Sequence, residues 1–236
     1  MKKQKFLVVI LLVLGLSGTV QALGPLGPPT AGLKTGQWGV AAEYAFSDSD
    51  VDVEGLTLEG LESNMFLGQI GYGLSDDWEF YGLVGAADHE PDKLEGYDIS
   101  VVDFGYDFAY GFGTKVTLAK DETLAWGALF EMGWRQGDDS LYGVDVDVDY
   151  YEIFVAVGPT WKAAEGVRIY GGPFFYMLDG EIDTSISGLS ADLEEESNFG
   201  GYVGAEFDLC PSSSLYVEYQ FTGDMQTIGA GINWKF

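Results

Sequence analysis

The sequence contains one cysteine, Cys210, and one histidine, His89. A lone thiol excludes an intramolecular disulfide framework, and no Cys/His cluster exists to hold zinc. Positive charge is scarce. Eleven Lys+Arg face thirty-eight Asp+Glu, a formal net charge of -27. That balance excludes nucleic-acid binding, which needs bases to neutralise phosphates. Helix-period segments are missing after the first two dozen residues. Long apolar runs are missing there too. What is plentiful is glycine, 34 residues, together with 15% aromatic and 47% hydrophobic residues. Glycine disfavours helices, and this much apolar content is too high for a disordered acidic polymer.

Residues 1–22 read as a secretory signal peptide. Lys2, Lys3 and Lys5 form a basic start, Phe6–Leu16 an apolar core, and Val20-Gln21-Ala22 a cleavage site. The apolar run is short for a membrane helix. Residues 23–35 hold Pro25, Pro28 and Pro29 and read as an exposed, Pro/Gly-rich periplasmic leader. Residues 36–236 form the remaining domain.

From Trp38 onward the hydrophobic period is two. Trp38, Val40, Ala42, Tyr44 and Phe46 alternate with Gly39, Ala41, Glu43 and Ala45. The same rhythm continues to the C-terminus and predicts about ten strands. Short connections (Ser75–Asp77, Ala119–Thr123, Ala163–Gly166, Cys210–Ser214) alternate with long ones (Ser47–Glu62, Asp88–Asp98, Gly137–Asp149, Gly180–Glu196). That asymmetry predicts an all-β, antiparallel, up-and-down transmembrane β-barrel in a bacterial outer membrane. A soluble sandwich would also alternate. Its polar face would carry more Lys, Glu and Thr, whereas here that face is crowded with Gly and Ala, as a narrow lumen requires. Aromatic residues recur near strand ends, where interfacial girdles belong.

Gly71-Tyr72-Gly73-Leu74, Asp76-Asp77-Trp78 and the terminal Gly229-Ala230-Gly231-Ile232-Asn233-Trp234-Lys235-Phe236 resemble the small outer-membrane β-barrel proteins, including opacity-type surface antigens and porin-like barrels. The resemblance spans the mature chain as a pattern of residue types. Many members have eight strands, so eight stays open beside ten. The resemblance implies that Ile232, Trp234 and Phe236 form the signal read by the barrel-assembly machinery. It implies periplasmic chaperones and then outer-membrane lipid and lipopolysaccharide as partners. It implies no single activity.

Most of the carboxylates fall in the four long connections, where Lys93 is the only base. A second set lies on the lumen parity: Glu43, Asp103, Asp107, Glu131, Glu152, Glu206 and Glu218, with Lys115, Arg135 and Arg168. Lipid-facing charge is costly, so these should point inward and pair or stay hydrated. Asp48, Asp50, Asp52, Asp145, Asp147 and Asp149 are weak candidates for divalent cations. An EF-hand is excluded because Val53 stands where the turn glycine is required. His89, between Asp88 and Glu90, suggests an omptin-like pair, but the omptin residue pattern is absent. No catalytic residue and no cofactor is expected. The expected role is structural or surface-interacting, with acidic extracellular loops and an unknown extracellular partner. The alternative is a narrow, cation-favouring channel.

Overall fold

The computed structural model describes residues 24–53, 56–88, 90–94, 97–98, 106–141, 144–184, 190–194, 199–223 and 225–236. Residues 1–23, His89 and Asp103 lie outside them. The described strands are β1 (Trp38–Val53), β2 (Leu56–Ser75), β3 (Trp78–Asp88), β4 (Glu90–Leu94), β5 (Tyr97–Asp98), β6 (Tyr106–Lys120), β7 (Leu124–Leu141), β8 (Val144–Ala164), β9 (Val167–Thr184), β10 (Ser190–Glu194), β11 (Phe199–Cys210), β12 (Ser213–Phe221) and β13 (Met225–Lys235). Ten of them close a barrel in the order β1-β2-β3-β6-β7-β8-β9-β11-β12-β13. Closure is antiparallel, with Ala42 opposite both Ile232 of β13 and Gly68 of β2. At the seam, Trp38 and Phe236 exchange backbone hydrogen bonds of 3.0 and 3.1 Å. The ten strands expected from alternation are present, and eight is set aside.

The period of two becomes an inside and an outside. On β12, Ser214, Tyr216, Glu218 and Gln220 are buried, while Leu215, Val217, Tyr219 and Phe221 are exposed. An outward belt of Phe, Ile, Val and Leu around a closed wall is the surface a bilayer needs, because each of the ten wall strands is paired on both sides. Trp38, Trp78, Trp126, Trp161 and Trp234 are half-exposed and sit at the end bearing the short turns. They form one interfacial girdle there. Trp134 stacks on Tyr110 with ring centroids 5.7 Å apart.

The long connections differ from expectation. Much of Ser47–Glu62 and Gly137–Asp149 is not loop but continuous hairpin. β1 and β2 pair out to Val53↔Leu56, and β7 and β8 out to Leu141↔Val144. A tilted crossing needs about 9–11 residues, so β8, with 21, extends well past the membrane. The short strands β4 and β10 pair alongside β2 and β9 in this extension.

Candidate functional site

The lumen is filled by an N-terminal segment and by inward side chains of the wall. Its floor, at the short-turn end, is made by residues 24–37. Gly36 N donates to Gly73 O at 2.8 Å, and Thr35 donates to Asp76 from both N and Oγ1 at 3.0 and 2.9 Å. These contacts hold the Asp76 carboxyl below its ordinary pKa, the backbone bond from Thr35 contributing most. From there the chain turns inward. Leu33 N and Gly32 N donate to Glu79 Oε2 at 2.9 and 2.7 Å. Ala31 N donates to Thr117 Oγ1, and the Thr30 and Thr160 hydroxyls meet at 3.0 Å. The segment then rises along the opposite wall. Leu26 N and Gly27 N donate to the two oxygens of Glu218 at 2.8 and 2.9 Å. Gln220 Nε2 reaches Gly24 O at 3.4 Å. Residues 24–33 thus touch β3, β6, β8 and β12, crossing the whole bore.

This corrects the expectation of an exposed leader. Leu26 is 1% and Leu33 8% exposed. Small Gly and ring-locked Pro residues fit a narrow bore. Their N–H groups give buried carboxylates the donors they require.

Above the floor, the carboxylates are held mainly by neutral donors. Tyr216 donates to Glu43 and Tyr81 to Glu131, both at 2.6 Å. Tyr176 donates to Glu152 at 3.2 Å. Glu152 also faces Arg135 at 3.4 Å, with both side chains almost fully buried, and Arg135 lies 5.7 Å from the Tyr150 ring centre. Near the short-turn end Arg168 pairs with Glu206 at 2.8 Å and with Asp208, and Ser214 donates to Glu206. Lys115 is buried with its ammonium 5.5 Å from the Tyr81 ring centre. The rings of Tyr81 and Tyr170 lie over Gly113 and Gly204 on the neighbouring strands, where a Cβ would come within 2.3 Å of them. Only glycine admits a tyrosine at those places. Ala45, Met65, Leu67, Ala87 and Ala109 fill part of the remaining bore. A chamber of about 260 Å³ is left beside the floor, bordered by Glu79, Lys115, Arg168 and Lys235.

Of the lumen residues named from sequence, Glu43, Lys115, Glu131, Arg135, Glu152, Glu206 and Glu218 are buried inside, and Arg168 and Asp107 half-buried. Sequence reasoning missed the tyrosines as their partners, and missed Glu79 and Glu218 as clamps on the floor. The surplus of inward acids over bases was the available signal, since each acid needed another donor. The cation candidates are not brought into a described cluster. Asp48 and Asp149 are exposed on β1 and β8, and the side chains of Asp50, Asp52, Asp145 and Asp147 lie outside the described residues. Among described residues, no three metal-ligating side chains converge. Ile232, Trp234 and Phe236 sit at the short-turn end of β13, with Trp234 and Phe236 exposed.

No protein-family model matches the chain, and no curated protein sequence does. Solved structures do. The translocator domain of the autotransporter NalP from Neisseria meningitidis matches with a TM-score of 0.53 at 9% identity, covering 99% of this chain and 96% of that one. An outer-membrane channel from Pseudomonas putida F1 matches with a TM-score of 0.53 at 12% identity, covering 91% and 100%. At such identities the likeness is one of fold. With its unbroken wall and apolar belt, the chain has the fold of an outer-membrane β-barrel.

Proposed function

We propose that this chain is a sealed outer-membrane barrel with a structural and surface-interaction role, close in kind to the opacity-type surface antigens, and not an enzyme. The observation that carries this reading is the clamp of Glu218 on Leu26 and Gly27, which fixes a peptide across the bore. Its extended acidic hairpins would face the medium, lipopolysaccharide-bound cations or an extracellular partner. Divalent cations would bind there weakly, through net charge rather than a fixed coordination sphere. Phe236, Trp234 and Ile232 would serve the assembly machinery from the end of β13, where Trp234 and Phe236 are exposed.

A second reading keeps one observation of its own. Buried lumen acids outnumber buried lumen bases, so a bore without its floor would favour cations. Planar-bilayer recording separates the two. The mature protein is expected to stay silent, and a form lacking residues 24–33 to give cation-selective steps. Discrete steps from the intact protein would overturn the sealed-barrel reading.

A further inference from the structure

The chamber beside the floor brings acids and bases together without closing them on each other. It holds about 260 Å³ and is lined by Glu43, Glu79 and Glu206 and by Lys115, Arg168 and Lys235. Arg168 is engaged by Glu206 and Asp208. Lys115 and Lys235 are not so engaged. Among the described residues neither makes an ion pair within 4 Å, although Lys115 is only 8% exposed. A buried ammonium needs a partner, and the Tyr81 ring centre 5.5 Å away offers only a face. The two remaining acids are half engaged. Tyr216 donates to Oε1 of Glu43, and Gly32 N and Leu33 N donate to Oε2 of Glu79. Among the described residues the other oxygen of each accepts no hydrogen bond. Two glycines of the floor keep the space open. A Cβ at Gly27 would lie 3.1 Å from Lys115 Nζ, and one at Gly32 would lie 3.7 Å from both Glu79 Oε2 and Lys235 Nζ. Glu79 and Lys235 thus flank one point beside the floor without pairing.

We propose that this chamber binds a small zwitterion of the α-amino-acid class, with its carboxylate toward Lys235 and Lys115 and its ammonium toward Glu79. Charge selects the class. With Arg168 and Glu206 closed on each other, two acids and two bases remain in the lining. A bare anion would meet Glu43 and Glu79, and a bare cation would meet Lys115 and Lys235. A ligand carrying one charge of each sign complements both couples. Size sets the limit. A volume of about 260 Å³ lies below the roughly 300–1,000 Å³ of pockets for drug-sized ligands, which excludes an oligosaccharide or a lipid. Arg168 and Lys235 are half-buried and stand at the short-turn ends of β9 and β13. The ligand therefore enters from that side, opposite the acidic hairpins. The proposal rests on the seated floor of the sealed-barrel reading, and it gives the short-turn side a role of its own.

The test is equilibrium dialysis of radiolabelled glycine against the mature full-length protein in detergent micelles. Glycine is expected to bind saturably. Acetate and methylammonium each carry one of its two charges, and glycerol carries neither. All three are expected to compete about tenfold or more weakly, the loss that goes with one charged hydrogen bond. Lys235→Gln removes the ammonium at the mouth and is expected to weaken glycine about tenfold for the same reason. Gly32→Ala sets a methyl group between Glu79 and Lys235 at ordinary contact distance from each. It is expected to weaken glycine as well while heat-modifiable gel mobility is retained. No saturable binding to the wild type would leave the chamber to water and overturn the proposal. So would acetate, methylammonium or glycerol competing as well as glycine, or undiminished binding in a folded Gly32→Ala barrel. Bilayer recording on the same sample distinguishes the failures. No glycine binding with a silent bilayer removes the zwitterion site and leaves the sealed barrel standing. No glycine binding with open steps removes both.

Discussion

Glu218→Ala should unseat the floor. The carboxylate accepts three hydrogen bonds, from Leu26 N at 2.8 Å, Gly27 N at 2.9 Å and Gln220 Nε2 at 2.8 Å. Hydrogen bonds to a charged group contribute roughly 1.5–3 kcal/mol each. Losing the two that hold the plug therefore costs the docked state about 3–6 kcal/mol. The barrel need not carry the whole of that cost, because a released segment can hydrate its own N–H groups. At roughly 1.4 kcal/mol per decade, the lower figure alone raises the undocked population about a hundredfold. Single-channel recording reads this as flickering, cation-selective steps in a preparation whose wild type is quiet. Glu218→Gln keeps a carbonyl acceptor and should fall between the two. A synthetic peptide of residues 24–33, added from the short-turn side, should suppress the steps. The reasoning is refuted if Glu218→Ala stays as quiet as wild type and amide exchange at Leu26 and Gly27 does not quicken.

Four further outcomes follow from the same geometry. Arg135→Ala leaves Glu152 buried without its 3.4 Å counter-ion and should destabilise the barrel by about 3–5 kcal/mol in urea unfolding, much of it recovered in Arg135→Met/Glu152→Gln. Gly204→Val sets a side chain into the Tyr170 ring and should cost about 1–3 kcal/mol, lowering the temperature at which the folded gel band is lost. The Cys210 thiol, beside the Ser212 and Ser213 hydroxyls, is held down at about 7; its alkylation rate should reach half-maximum there, and Ser213→Ala should move the midpoint toward the ordinary value of about 8.5. Asp76 has a lowered pKa when folded, so its contact with Thr35 is fully in place above the ordinary carboxylate range. That contact is lost only as pH falls through the lowered value, which a carboxyl NMR titration should show.

The wall of the barrel was legible because its information is local. Phe221, Tyr219, Val217 and Leu215 alternate with Gln220, Glu218, Tyr216 and Ser214 within one strand, and bilayer and bore require that same alternation. Even the misread part carried the pattern. Val144-Asp145-Val146-Asp147-Val148-Asp149 has a period of two, but its charge suggested a loop. The strand runs through it because, beyond the membrane, water tolerates Asp on either face. The plug was illegible for the opposite reason. Leu26 and Glu218 lie 192 residues apart, and no local rule links a Pro/Gly stretch to an acid on the penultimate strand of the wall. Pro and Gly signal missing regular structure. That holds for residues 24–37, but irregular is not the same as exposed.

The lumen acids can be weighed on their partners. A bore built to pass cations would leave its carboxylates hydrated and free to exchange counter-ions. Here Glu43, Glu79, Glu131 and Glu218 accept from tyrosine hydroxyls or backbone N–H groups. Neutral donors satisfy a carboxylate without cancelling its charge, so the bore keeps a negative potential while its oxygens are occupied. Glu79 and Glu218 are held by residues 24–33, which are not part of the wall. Withdrawing that segment would free these two acids first, one near the short-turn mouth and one deeper in the bore. On the reading proposed above, the sealed barrel and the cation path would be two positions of one peptide rather than two rival architectures, with the strength of the Glu218 clamp setting the balance between them.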